Sequence, residues 1–112
     1  MSRRKQQAVK SSGNVFLDLG FPPEEAVVLA MRADLMARMR LYIERREFTQ
    51  VEAAAAFGIS QSRVSDLMRG KWDKFSLDML LTLAAKAGLQ PQLKLVNSRD
   101  ARASHLRAGN WG

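Results

Sequence analysis

The stretch at residues 49–70, TQVEAAAAFGISQSRVSDLMRG, constrains this chain more than any other. Thr49 and Glu52 have the T-x-x-E spacing of a capping box, in which hydroxyl and carboxylate each satisfy an otherwise orphaned backbone amide. Phe48 precedes the cap, where it can staple onto Ala53. Residues 53–56 are all alanine, the strongest helix former. Gly58 then ends the helix, because glycine enters the left-handed region without a side-chain penalty. Ile59 follows as an apolar plug, Ser60 caps a second helix over 61–69, and Gly70 closes it. The spacing therefore predicts two short helices joined by a tight turn.

Two helices that cross steeply after so short a turn leave little room at the corner, and Ala54 suits that space. Ile59, Val64, Leu67 and Met68 supply a buried underside. With about 100° of rotation per residue, Ser62, Asp66 and Arg69 then face outward, with Arg63 and Ser65 on the flanks. This outer face is short, polar and able to hydrogen-bond, as reading base edges in a major groove requires. Gln61 has the chemistry for a bidentate contact to adenine and Arg63 for one to guanine, while Ser62 and Ser65 suit either. Asp66 has two readings: acceptor from cytosine, or neutraliser of Arg63 or Arg69, each three residues away.

Gln50, Ala54, Gly58, Ile59, Val64 and Leu67 fall where phage-repressor-like helix-turn-helix regulators have their signature residues. The run G-I-S-Q-S-R-V-S-D-L-M-R-G resembles the xenobiotic-response-element family in particular. SGNVFLDLGF (12–21) and FSLDMLLTLAAKAG (75–88) are similar to short antitoxins of the HigA type, so the resemblance spans residues 12–96. It implies an all-α, lambda-repressor-like bundle of about four or five helices. It also implies base contacts from Gln61, Ser62, Arg63 and Asp66, a phosphate held by Gln50, and a loop with Lys71 and Lys74 against the DNA backbone. Ser60 and Arg69, at the two ends of the second helix, complete the expected phosphate set. The implied partners are double-stranded DNA with a palindromic operator, a second copy of the chain, and a toxin protein whose operon such antitoxins repress; the alternatives are a stand-alone phage-type repressor without a toxin partner, or a helix-turn-helix used for protein contact.

Other chemistry finds little footing. The chain has 112 residues, no cysteine and one histidine, His105, which excludes a disulfide framework, a thiolate metal site and a multi-histidine site. The glycines end helices rather than cradle phosphates, so we expect no enzyme and no cofactor. No apolar run is long enough to span a bilayer, so no membrane partner is expected. Arg3, Arg4 and Lys5 resemble the start of a signal peptide, but no apolar stretch follows, and the expected location is the cytoplasm, on the nucleoid. The net charge is +7, of which Arg3, Arg4, Lys5 and Lys10 supply four. Arg99, Arg102 and Arg107 against Asp100 supply two more, leaving one for the middle. Most of the excess therefore lies near the ends, and supports DNA binding only weakly.

In chain order, residues 1–13 read as a disordered basic arm, for phosphate contact or for solubility. Residues 14–96 form the domain. Val15, Phe16, Leu17, Leu19 and Phe21 are too apolar for a free tail and should dock on the body or on a partner. Pro23 suits the first position of a helix, with Glu24 and Glu25 in its first turn. The helix over 24–46 carries two apolar rows: Val28, Met31, Leu35, Met39 and Tyr42, beside Leu29, Met36 and Ile43. Arg32, Arg38, Arg45 and Arg46 read as its solvated face, Arg45 and Arg46 being near enough to the motif to reach phosphate. Trp72 either shields Lys71 and Lys74 or anchors their loop on the core. Phe75 and Ser76 repeat the staple and cap before a helix over 77–87, packed through Leu77, Leu80, Leu81, Ala84 and Ala85 with Leu83 alongside.

Leu89, Leu93 and Leu95 alternate with polar residues over 89–96, the period of a strand, and Pro91 suits an edge. Such an edge strand, with Leu93, Lys94 and Leu95 at its centre, needs a ladder partner. A second copy, a toxin's sheet, or residues 15–17 of the same chain would each serve. Residues 97–112 read as a disordered basic tail in which Trp111 either meets a partner or stays uncovered.

Overall fold

The structure is a computed structural model that describes residues 13–97. The expectations for the basic arm and the basic tail therefore lie outside the described residues, except at Gly13 and Asn97. The described residues form α1 (Val15–Asp18), α2 (Pro23–Arg45), α3 (Gln50–Phe57), α4 (Gln61–Met68), a 3-10 turn (Trp72–Lys74) and α5 (Leu77–Lys86). None of these helices is long and apolar enough to cross a membrane.

Local chemistry accounts for most of the boundaries. Pro23 opens α2, where its missing N–H would have had no partner, and Glu24 and Glu25 stand in the first turn against the positive helix end. The Thr49 hydroxyl accepts from the Glu52 N–H at 3.1 Å and the Glu52 carboxylate accepts from the Thr49 N–H at 2.8 Å, completing the capping box. Ser60 and Ser76 cap α4 and α5, accepting from the N–H groups of Arg63 and Met79. Gly58 has φ 72°, Gly70 φ 70° and Gly88 φ 87°, so the three glycines assigned as stops all take the left-handed region.

The long α2 is the spine, packed against α1, α4, α5 and the 3-10 turn, while α3 packs on α4 and α5. One cluster holds Met36, Met39 and Ile43 of α2, Ala53 and Phe57 of α3, Val64 and Leu67 of α4, then Phe75, Leu80 and Leu83. A smaller cluster holds Phe16, Ala26 and Leu29, with Phe21 packed against it. Trp72 packs against both. Of the two rows on α2, Leu29–Met36–Ile43 is the buried centre; Met39 joins it, Met31, Leu35 and Tyr42 are half-buried flanks, and Val28 is exposed. On α5, Leu80, Leu83 and Ala84 are buried, Leu77 and Leu81 are half-buried, and Ala85 is exposed.

Three expectations are corrected. First, residues 89–97 carry no strand. A strand is defined by its ladder; no second strand lies among the described residues, and Pro91 lacks a donor. Second, the in-chain partner suggested for it, residues 15–17, is helical. Asn14 caps α1 through its side-chain oxygen, 2.9 Å from the Phe16 nitrogen, and its side-chain amide donates to the Ala26 carbonyl at 3.2 Å. That second bond ties α1 to α2. Third, Arg32 is not solvated. It is half-buried, and its Nη1 donates to the Trp72 carbonyl at 3.2 Å.

Candidate nucleic-acid interface

The candidate interface centres on α4, whose orientation the burial pattern fixes. Val64 and Leu67 are fully buried, and Met68 and Ile59 pack beside them against the same cluster. The opposite face then has to meet solvent. Gln61, Ser62 and Arg69 are exposed, while Arg63, Ser65 and Asp66 are half-buried on the flanks. Among the described residues the side chains of Gln61, Ser65 and Asp66 have no hydrogen-bond partner. Asp66 pairs with neither Arg63 nor Arg69, whereas Arg38 pairs with Asp34 on α2 at 2.9 Å. The hydroxyls of Ser60 and Ser62 lie 3.4 Å apart at the start of α4. Ser60 accepts from the Arg63 N–H at 3.2 Å, which still leaves its own proton to donate.

Arg63 behaves differently from its neighbours. Its Nη1 donates to the carbonyl of Lys74 at 2.8 Å, and its Cζ lies 5.5 Å from the centre of the Phe75 ring. The bond ties the end of the 3-10 turn to a residue in the first turn of α4. Lys71 and Lys74 are both exposed. With Arg63 and Arg69 they set four positive side chains against Asp66 and Asp73 around α4 and the turn. The positive end of the α4 dipole adds to that field.

Trp72 is a loop anchor. Its ring stands edge-on to Phe16 at 5.3 Å and to Phe21 at 6.3 Å, and its carbonyl holds Arg32. Gln50 is exposed at the first position of α3. Arg45 and Arg46 are exposed at the end of α2, where the Arg46 guanidinium lies 5.4 Å from the Tyr42 ring centre and 5.6 Å from that of Phe48. Sequence reasoning passed over Arg40, whose Nη1 approaches the Leu67 carbonyl at 3.5 Å, at the negative end of α4. Arg32 and Arg40 each stand three or four residues from members of the buried row Leu29–Met36–Ile43. That spacing marks them as flank residues; what they would touch depended on chain far away.

A capped helix, a left-handed glycine corner and a second helix with a sealed underside and a polar outer face define a helix-turn-helix protein. The chain belongs to a family described as a helix-turn-helix domain, whose profile matches residues 15–109. Membership places it among DNA-binding regulators. No curated protein matches the chain.

Proposed function

We propose that this protein is a sequence-specific DNA-binding transcriptional regulator that inserts α4 into the major groove. The observation that carries this is the outer face of α4. Gln61, Ser62, Ser65 and Asp66 stand there over a fully buried Val64 and Leu67, and three of the four have uncommitted side chains. Side chains that read base edges need free hydrogen-bonding groups on a firmly held helix, and α4 supplies both. Gln61 is assigned to adenine and Asp66 to the cytosine amino group, with Ser62 and Ser65 beside them. Gln50, Ser60, Arg69, Lys71 and Lys74 are assigned to phosphates. The regulator acts as a homodimer on a palindromic operator, with half-sites about 34 Å apart. The dimer contact is assigned to the segment around Leu93, Lys94 and Leu95, because Leu93 is 65% exposed and Leu95 99% exposed. The similarity of residues 12–21 and 75–88 to HigA-type antitoxins further supports a role as antitoxin and autorepressor of a toxin–antitoxin operon.

The test is selection of bound duplexes from a random library, followed by titration of the selected site across a salt series. Wild type should enrich one palindromic site and bind an isolated half-site far more weakly. A Gln61→Ala/Asp66→Ala variant should lose about tenfold to hundredfold of the site preference and keep the salt slope. Enrichment of no sequence by wild type, or a preference unchanged by the variant, would overturn the reading.

A further inference from the structure

The turn that carries Lys71 and Lys74 is held at both ends by arginines from different helices. At one end Arg32 of α2 donates to the Trp72 carbonyl at 3.2 Å while the Trp72 ring packs edge-on against Phe16 and Phe21. At the other, Arg63 of α4 donates to the Lys74 carbonyl at 2.8 Å and lies over the ring of Phe75. Phe75 is only 1% exposed and belongs to the main cluster, so the Arg63 guanidinium is backed by a fixed surface. Charged donors to carbonyls and cations over aromatic faces are both stabilising, and here one guanidinium makes both contacts. For Arg63 to read guanine it would have to leave both contacts.

We propose that Arg63 is a positioning residue: it locks the Lys71–Lys74 turn against the first turn of α4, so that the phosphate contacts stand in fixed register with the bases read by Gln61 and Ser62. This rests on the DNA-binding reading above. An untied turn bearing two lysines has many conformations, and ordering it on DNA would oppose binding. With the Arg32–Trp72 tie at the other end, the Arg63 bond limits that freedom before the DNA arrives. Arg63 thus acts on affinity through the lysines and leaves base choice to its neighbours on α4.

The experiment compares wild type, Arg63→Met, Arg63→Lys and Lys74→Ala on the selected duplex across a salt series. Arg63→Met keeps most of the stem that covers Phe75 and removes the donors; Arg63→Lys keeps the charge and loses the planar fork. Both should weaken binding and lower the slope of log K against log salt by about 1 to 2, with the preferred base unchanged at every position. Arg63→Met combined with Lys74→Ala should lose less affinity than the product of the two single losses, because both act on one contact. In the DNA-free protein, nuclear relaxation should show faster motion at the amides of Asp73 and Lys74 in Arg63→Met, with α4 still rigid. A preference lost at one base position with the slope intact would overturn the assignment and make Arg63 a base reader. A turn equally ordered in Arg63→Met would overturn it without any DNA. If wild type binds DNA with no site preference while Arg63→Met still loosens the turn, the functional reading has failed and the structural tie has not.

Discussion

The two apolar clusters differ in how they are built and in what they hold. The larger takes buried residues from α2, α3, α4, α5 and the approach to α5, and closes around Phe57, Val64, Leu67 and Leu80, all with no exposed surface. The smaller has three buried members, Phe16, Ala26 and Leu29, and owes much of its remaining cover to Phe21 and Trp72. The larger cluster fixes the angle between α3 and α4 and therefore the outward face of α4. The smaller leaves that angle alone and holds the turn after α4 by the ring and carbonyl of Trp72. One cluster gives the domain its stability, and the other holds the turn that carries Lys71 and Lys74.

The largest effect expected is on the first cluster. Phe57→Ala removes a fully buried ring that stands 6.2 Å from the ring of Tyr42. A loss of about 3–5 kcal/mol is expected, a large part of the whole stability of so small a domain. The check is a urea titration followed by circular dichroism, in which the midpoint falls while the transition stays cooperative. A loss below about 1 kcal/mol would mean that α3 is not held as described.

A smaller and more local effect is expected from Phe16→Ala. Its ring is 5% exposed and contacts Phe21 at 6.0 Å and Trp72 at 5.3 Å. So small a cluster at the edge of the fold can open without the rest, so the cost should be about 2 kcal/mol, below the usual range for a buried phenylalanine. Hydrogen exchange separates the two clusters directly. The amides of Gly20 and Phe21, which donate to Leu17 and Phe16, should lose protection, and those of α3 and α4 should keep it. Equal loss of protection in all helices would merge the two clusters into one cooperative unit and end the comparison.

The same division separates what was legible in the sequence from what was not. The capping box at Thr49 and Glu52, the caps at Ser60 and Ser76, and the stops at Gly58, Gly70 and Gly88 all act over four residues or fewer, so residue type and spacing determine them. The buried underside of α4 follows from a single helical period. The small cluster and the turn are tied by contacts between distant parts of the chain: Arg32 to Trp72 spans 40 residues, Asn14 to Ala26 spans 12, and Arg63 to Lys74 spans 11. No local rule reports such a pairing. Residues 15–21 show apolar character without a period, so docking could be read there but α1 could not. On α2 both rows are periodic, and only the positions of α3, α4 and α5 decide that Leu29–Met36–Ile43 is the centre. The alternation at 89–96 signals strand, but a strand also requires a partner, and sequence pattern says nothing about that.

The smallest effect tests the locally determined side at its one departure. Among the described residues Glu47 alone is a non-glycine with positive φ, at 55°, where α2 ends. Its neighbours satisfy the end of the helix as a glycine stop would: the Phe48 N–H donates to the Ile43 carbonyl at 3.1 Å and the Glu47 N–H to that of Glu44 at 3.0 Å. The left-handed conformation costs a residue with a Cβ about 1–2 kcal/mol. Glu47→Gly relieves that strain, but glycine gains freedom in the unfolded chain, which takes back about 0.4–1 kcal/mol. A net gain of about 0.5 kcal/mol should remain, a rise of roughly 2–4 °C in Tm for a domain of this size. Glu47 makes no ion pair or side-chain hydrogen bond among the described residues, so no contact is lost to offset it. A fall in Tm would show that the carboxylate beside Arg45 and Arg46 supports the end of α2, and that this stop depends on charge as well as on backbone geometry.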